Sequence, residues 1–311
     1  DFEHLYDQVP ELKRLEIEIQ AISFEKPIDS SEMNPMAWRK LATIIYDNYA
    51  AYDGFVVLHG SDTMSYTASA LSFMLQGLRK PIILTGSQLP IGTIRTDGKE
   101  NLITAIELAG MKNSDGESTI QEVAIYFEYS LYRGNRATKV SASEFEAFKS
   151  GNYPDLAIAG VEIRFNTSAL YRSEKSKLEF YPDLCNDVAL IKLFPGLPFA
   201  TYEPLFDVSK IKGIILSTYG AGNGPRDTKF EEILNKYITS GGIILNITQC
   251  SSGAVEQGKY ETSQQFVRLG VLSGGELTTE AAITKLMHVC SLPLNNDEKK
   301  HKLTHAICGE M

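Results

Sequence analysis

The chain has 311 residues, 43% of them apolar and 22% charged, and carries a formal net charge of −9. That apolar share can bury a core, which excludes a disordered chain. The acid excess argues against nucleic acid as a partner, since phosphate calls for a basic stripe. No run approaches the roughly 20 apolar residues that cross a bilayer, so no membrane partner is expected either. Cys185, Cys250, Cys290 and Cys308 form no CxxC pair, and the five histidines show no ligand spacing. Free thiols in a reducing cytoplasm, with no metal site, are the expectation. The sequence opens at Asp1 without an initiator Met and runs at once into Phe2-Glu3-His4-Leu5-Tyr6. It reads as the middle of a protein rather than its start.

In chain order, residues 14–24 (RLEIEIQAISF) alternate apolar and polar side chains and predict a strand. Asn34 and Pro35 are a natural N-cap and first helical residue. Trp38, Leu41, Ala42, Ile45 and Tyr49 then mark one face of an amphipathic helix. Residues 54–58 (GFVVL) predict a strand covered on both faces. The turn His59-Gly60-Ser61-Asp62 leads into a helix reaching Leu75, with Gly77 as its stop. Residues 81–84 predict the next strand and 101–108 the next helix. This strand–helix rhythm indicates an α/β fold with a mostly parallel sheet flanked by helices. Residues 121–164 read as several strands, and 166–185 turn polar, marking a boundary. After it the rhythm restarts: strands at 214–216 and 243–245, helices at 230–237 and 279–289. The charge run 297–302 reads as the solvated face of a terminal helix. Two domains are expected, a larger catalytic one over 1–175 and a smaller flavodoxin- or Rossmann-like one over 186–311.

Ligands of open parallel sheets bind beyond the carboxyl ends of the strands. Two segments sit there in the first domain, Leu58–Met64 (LHGSDTM) and Thr85-Gly86-Ser87-Gln88. Ser61 and Asp62 are favoured N-cap types, so capping accounts for them as well as chemistry does. Hydroxyl, acid and hydroxyl in three consecutive residues nevertheless exceed what one cap requires. Lys139, in Tyr132-Arg133-Gly134-Asn135-Arg136-Ala137-Thr138-Lys139, is of a type that ordinarily sits on the surface. Buried, a lysine can lose its proton and serve a hydroxyl as base. Tyr219-Gly220-Ala221-Gly222-Asn223-Gly224-Pro225 hints at a dinucleotide loop but places Pro225 where a third glycine belongs. His59 reads as an oriented structural residue.

Taken together, these blocks resemble the bacterial L-asparaginase family, in particular its cytoplasmic type I branch. The resemblance rests on HGSDTMSYTASALSFML (59–75), TGSQLP (85–90), RTDGKENL (95–102), LYRGNRATK (131–139), LSTYGAGNGP (216–225) and NITQCSSG (246–253), in family order and over nearly the whole chain. It implies a two-step hydrolysis of the asparagine side-chain amide through a hydroxyl nucleophile and an acyl-enzyme, without cofactor or metal. The family threonine and aspartate of HGTDT fall on Ser61 and Asp62, and the partner lysine on Lys139. Substrate binding falls on Asp29, Ser30 and Ser31 for the α-carboxylate, Asp62 for the α-ammonium, and the Ser87 backbone beside the amide, with Ser61 also in the substrate site. The change from Thr to Ser at 61 keeps the hydroxyl but loses the methyl that stiffens χ1. The family's primary nucleophile, a threonine in a TGGT-type motif, occurs nowhere in residues 1–311. The expectation is that it lies outside the numbered chain. A homodimer or homotetramer is implied. The alternatives are a glutaminase or amidotransferase subunit of the same fold, and a catalytically inactive amino-acid binder.

Overall fold

The structure, a computed structural model, describes residues 9–258 and 261–311. The opening residues 2–6 lie outside the described residues. The chain folds as two compact units that part between Pro182 and Asp183. All four cysteines are free.

In the first unit, residues 14–24 do not form the predicted strand. Pro10–Arg14 makes a 3-10 turn, and the alternating residues after it run on without a ladder. Their apolar members still find a core, with Leu15, Ile17 and Ile19 packed against Val9, Leu12, Leu102 and Ile106. Alternation selects a buried face, but a strand also needs a neighbour to hydrogen bond. Helix α1 (Pro35–Asn48) starts as its sequence dictates. The Asn34 side chain accepts from the amides of Met36 and Ala37 at 3.0 and 3.1 Å, and Pro35 has no donor to lose. Next come β1 (Phe55–Leu58), α2 (Met64–Met74), β2 (Leu75–Gln76), β3 (Ile82–Thr85) and α3 (Gly98–Gly110). Gly77 follows β2 in the left-handed region, at φ +81°, where a Cβ would lie 2.3 Å from the Lys177 carbonyl oxygen. Only glycine fits.

The unit continues through β4 (Val123–Phe127), β5 (Ser130–Arg133), β6 (Thr138–Lys139), β7 (Phe148–Lys149), β8 (Ala157–Ala159), β9 (Ile163–Phe165) and β10 (Glu179–Phe180). Its main sheet has six strands in the order β1-β3-β4-β5-β8-β9. The α/β class is as expected, but this sheet is mixed rather than mostly parallel. Strands β1, β3 and β4 run parallel, and β5, β8 and β9 join antiparallel. The cause is the two-residue turn Glu128-Tyr129, with φ of 43° and 68°, which folds β5 straight back on β4. A second correction concerns β1. Among the described residues it lies at the edge of the sheet, and its side chains are half-buried, with Leu58 exposed, rather than covered on both faces.

The second unit comprises β11 (Val188–Lys192), α4 (Phe199–Tyr202), β12 (Gly213–Thr218), α5 (Thr228–Thr239), β13 (Ile243–Thr248), α6 (Glu261–Leu269), β14 (Leu272–Ser273), α7 (Thr279–Ser291) and α8 (Asn296–Thr304). Its four strands are all parallel, in the order β11-β12-β13-β14. Alternation along β12 explains the layering. Ile214 and Leu216 pack on one face with Phe230, Leu234 and Tyr237, while Ile215 packs on the other with Ala282, Leu286 and Val289. Each fully buried Ile, Leu, Val or Phe among them stabilises by about 1.5–3 kcal/mol. Helix α8 carries the charge run, buries only Leu303, and opens on a capping box between Asn295 and Glu298. Among the described residues no helix is long and apolar enough to cross a membrane.

Candidate active site

Parallel pairing puts the carboxyl ends of β1 and β3 side by side, Leu58 against Thr85. The His59 amide extends the ladder by donating to the Thr85 carbonyl at 2.9 Å. Two loops leave from here. Their backbones touch, because a Cβ on Gly86 would lie 2.1 Å from the His59 carbonyl oxygen. A third loop closes in from the other side. A Cβ on Gly60 would lie 2.6 Å from the Ser30 hydroxyl, and Thr63 Oγ1 donates to the Ser30 carbonyl at 2.6 Å. The 3-10 turns Ser30–Glu32 and Ser61–Thr63 therefore face each other.

Capping does not account for Ser61 and Asp62. Gly60 is the N-cap of the 3-10 turn and Thr63 that of α2, and neither start carries a side-chain cap. Both side chains turn instead to Lys139, whose Nζ donates to Ser61 Oγ at 2.8 Å and to Asp62 Oδ1 at 2.7 Å. The surface-charge reading of Lys139 fails with it. Its side chain is 16% exposed, whereas that of Asp62 is 67% exposed. One carboxylate oxygen thus grips the lysine while the group as a whole stays open to solvent.

The remaining residues expected in the site divide into two kinds. Asp29 and Ser31 are exposed and engaged with each other. Asp29 Oδ1 accepts from the Ser31 amide at 2.8 Å and from its hydroxyl at 2.7 Å, bonds that hold the Asp29 carboxyl below its ordinary range. Ser30 is buried against Gly60. Ser87 is half-buried on the loop after β3, in a segment pinned from beneath. Buried Asp97 accepts from the amides of Gln88 and Leu89, and buried Asn101 donates to the Gly86 carbonyl at 3.0 Å.

Several positioning residues were not singled out in the sequence reading. Arg133 Nε donates to Glu122 Oε2 at 2.7 Å, with both side chains 5% exposed, and its guanidinium lies 4.2 Å from the Tyr153 ring centre. Arg136 stacks on the same ring at 5.0 Å. These buried cations anchor the segment that delivers Lys139 on β6. The clue was present, since two arginines flank Gly134 and Asn135 in a stretch that must be covered. Gln88 was also passed over, although its Oε1 accepts from Ser61 at 3.0 Å.

His59 proves to be the oriented residue that was expected. Trp38 Nε1 donates to Thr67 Oγ1 at 2.9 Å, which leaves the Thr67 hydroxyl to donate to His59 Nε2 at 2.8 Å. Nδ1 then carries the proton and donates to the Gly60 carbonyl at 2.6 Å. Burial lowers the His59 pKa, against a smaller opposing pull from that carbonyl. A neutral imidazole thus braces the turn that holds Ser61. In the second unit, the glycine loop 219–225 closes on itself. The amides of Tyr219, Gly222 and Asn223 are spent within the turn, and none is presented to a phosphate. Among the described residues no group of three or more His, Cys, Asp or Glu could hold a metal ion.

Hydroxyl, carboxylate and ammonium groups converging at the carboxyl ends of parallel strands equip the class of hydrolases that act on amides. Residues 1–171 match the family described as "Asparaginase, N-terminal", and residues 187–303 match "Glutaminase/Asparaginase C-terminal domain". L-asparaginase 1 of Escherichia coli (strain K12) is 39% identical over 99% of this chain and 90% of its own length. The 60 kDa lysophospholipase of Mus musculus is 40% identical over 91% of this chain, which spans 49% of that longer protein. Among solved structures, L-asparaginase I from Vibrio cholerae superposes with a TM-score of 0.91 at 37% identity, covering 99% of this chain and 92% of that one. The chain belongs to the asparaginase family.

Proposed function

We propose that the chain hydrolyses the side-chain amide of L-asparagine to L-aspartate and ammonia, with Ser61, Asp62 and Lys139 as its proton-handling and substrate-binding cluster. The observation that carries this reading is the Lys139 ammonium bridging Ser61 Oγ and the exposed Asp62 carboxylate. Asp62 receives the substrate α-ammonium on its open side through a charge-assisted hydrogen bond. The Ser30 and Ser31 turn, with Asp29 holding its shape, receives the α-carboxylate. The Ser87 loop lines the amide, and backbone N–H groups stabilise the oxyanion.

A threonine hydroxyl attacks the amide carbon in the first step, as the family resemblance implies. Residues 1–311 contain no TGGT motif, so this role is assigned to no residue of the chain. As the C–N bond breaks, Ser61 hands its proton to the departing nitrogen and takes one from Lys139. The lysine, now an amine, takes up the proton of the attacking hydroxyl. In the second step the same pair removes a proton from water as it cleaves the β-aspartyl ester, which releases aspartate and restores the hydroxyl. We place the enzyme in the cytoplasm as a homo-oligomer, in asparagine catabolism. The test is ammonia release from asparagine, glutamine and succinamic acid by purified protein that carries the nucleophilic threonine. Fastest turnover of asparagine is expected, and no release from any of the three would overturn the reading.

A further inference from the structure

The partners of the Gln88 side-chain amide fix which way it faces. One end of it lies 2.9 Å from the carbonyl oxygen of Glu144, and a carbonyl can only accept, so that end is the Nε2 donor. The other end is Oε1, which can only accept, so the Ser61 hydroxyl 3.0 Å away must donate to it. With its one proton on Gln88 at rest, Ser61 meets Lys139 Nζ as an acceptor, and in the reaction that proton turns to the departing nitrogen about the Cβ–Oγ bond while Oγ keeps its place. A single direction therefore runs through four residues, from the Lys139 ammonium to Ser61, from Ser61 to Gln88, and from Gln88 to the Glu144 backbone. The last two links are anchored through their own backbones. The Gln88 backbone N–H donates to buried Asp97, and the Glu144 backbone N–H donates to Ser141 Oγ at 2.9 Å.

Serine at 61 makes this chain matter. A β-branched threonine selects its χ1 rotamer through its own methyl, whereas serine moves among three staggered wells. Lys139 alone is a poor restraint, because an ammonium with three rotatable donors on a flexible stem follows its acceptor. We propose that Gln88 is the positioning residue that holds Ser61 Oγ in its catalytic rotamer, supplying by hydrogen bond the restraint that the missing methyl would supply by sterics. Gln88 acts through Ser61. The inference rests on the reading of Ser61 and Lys139 as the proton-handling pair, and its test separates the two.

The experiment is a double-mutant cycle on the intact enzyme, nucleophilic threonine included, with Gln88→Met, Ser61→Thr and the two combined, read by asparagine kinetics and by high-resolution crystal structures. Met keeps the length of Gln and removes the acceptor. In the serine background Gln88→Met should lower kcat about three- to tenfold, the worth of one neutral hydrogen bond, with KM held. In the threonine background the same substitution should cost less than about twofold, because the methyl now selects the rotamer. The crystal structure of Gln88→Met should show Ser61 Oγ in more than one rotamer, and the double variant should show one. Equal penalties in both backgrounds, or a single serine rotamer in Gln88→Met, would overturn the proposal. Rotamer disorder in Gln88→Met without any change in kcat would uphold the positioning and instead contradict the role of Ser61 in the reaction.

Discussion

Lys139 and Lys285 each hold a carboxylate at close range, Asp62 at 2.7 Å and Glu310 at 2.6 Å, and the likeness ends there. Lys285 and Glu310 are wholly buried in the second unit. The lysine also donates to the His305 carbonyl at 2.8 Å, and the glutamate accepts from the amides of Ile307 and Cys308. Every one of those partners belongs to the protein, and together they fasten the last turn of chain to helix α7. Lys139 shares its ammonium between a hydroxyl and a carboxylate that remains open to solvent. A cation whose donors are spent inside the fold can only stabilise it. One that faces an open anion beside a hydroxyl can serve a ligand. The difference between a structural and a catalytic lysine is thus read from what its partner still offers.

The contrast breaks most visibly on stability. Lys285→Met leaves the Glu310 carboxylate buried without its cation, a defect that costs about 3–5 kcal/mol. Denaturant unfolding should record that loss, while the folded fraction keeps the wild-type kcat. A drop in kcat without loss of stability would mean that Lys285 works in the reaction.

A smaller effect is expected at Asp62. Asp62→Asn keeps the size and one acceptor but removes the charge, and hydrogen bonds to charged groups contribute roughly 1.5–3 kcal/mol. The kcat/KM for asparagine should fall at least about tenfold by that measure. The penalty should shrink for succinamic acid, which has no α-amino group to use the contact. Equal losses on both amides would remove Asp62 from the ammonium site.

Acid should separate the two units by the order in which they weaken. Burial lowers the His59 pKa beneath its ordinary 6.5, so the stability it contributes is whole above that value and declines as pH falls toward the lowered one. For Glu310, burial pushes upward, but the Lys285 ammonium and the backbone donors outweigh it and hold the pKa beneath 4.5. Its contribution is whole above 4.5 and is lost only as pH falls through the lowered value. Hydrogen exchange between pH 7 and 4 should therefore show loosening around the Gly60 turn before any around residues 305–311. His59→Asn should remove the earlier phase. The opposite order would contradict the assignments.

How much of this was legible in the sequence follows from range. Asn34 and Pro35 announce α1, and Ile214 to Leu216 announce a buried strand, because those signals act within a few residues. Residues 14–24 carried the same kind of local signal and misled, since a ladder depends on a neighbour that alternation cannot name. Glu128 and Tyr129 hid the antiparallel half of the first sheet, being two non-glycine residues in a turn that favours Gly and Asn. Ser61 and Asp62 stood out by density, but capping explained them equally well until Lys139, some 77 residues on, was seen to bind both. Spacing along the chain could not pair them. The family resemblance did. Gln88 and Arg133 escaped because their roles lie in hydrogen-bond direction and burial, which no local pattern encodes.

The account stands most directly on Lys139→Met, assayed for ammonia release from asparagine with thermal melting of the same preparation. Met fills a similar volume, and the exposed Asp62 left behind can be hydrated, so the melting temperature should hold. The loss should appear in kcat, by about 10²- to 10⁴-fold, as for any positioned acid–base group. A variant that melts like wild type and retains wild-type kcat would return Lys139 to the surface charges and leave the cluster without its proton carrier.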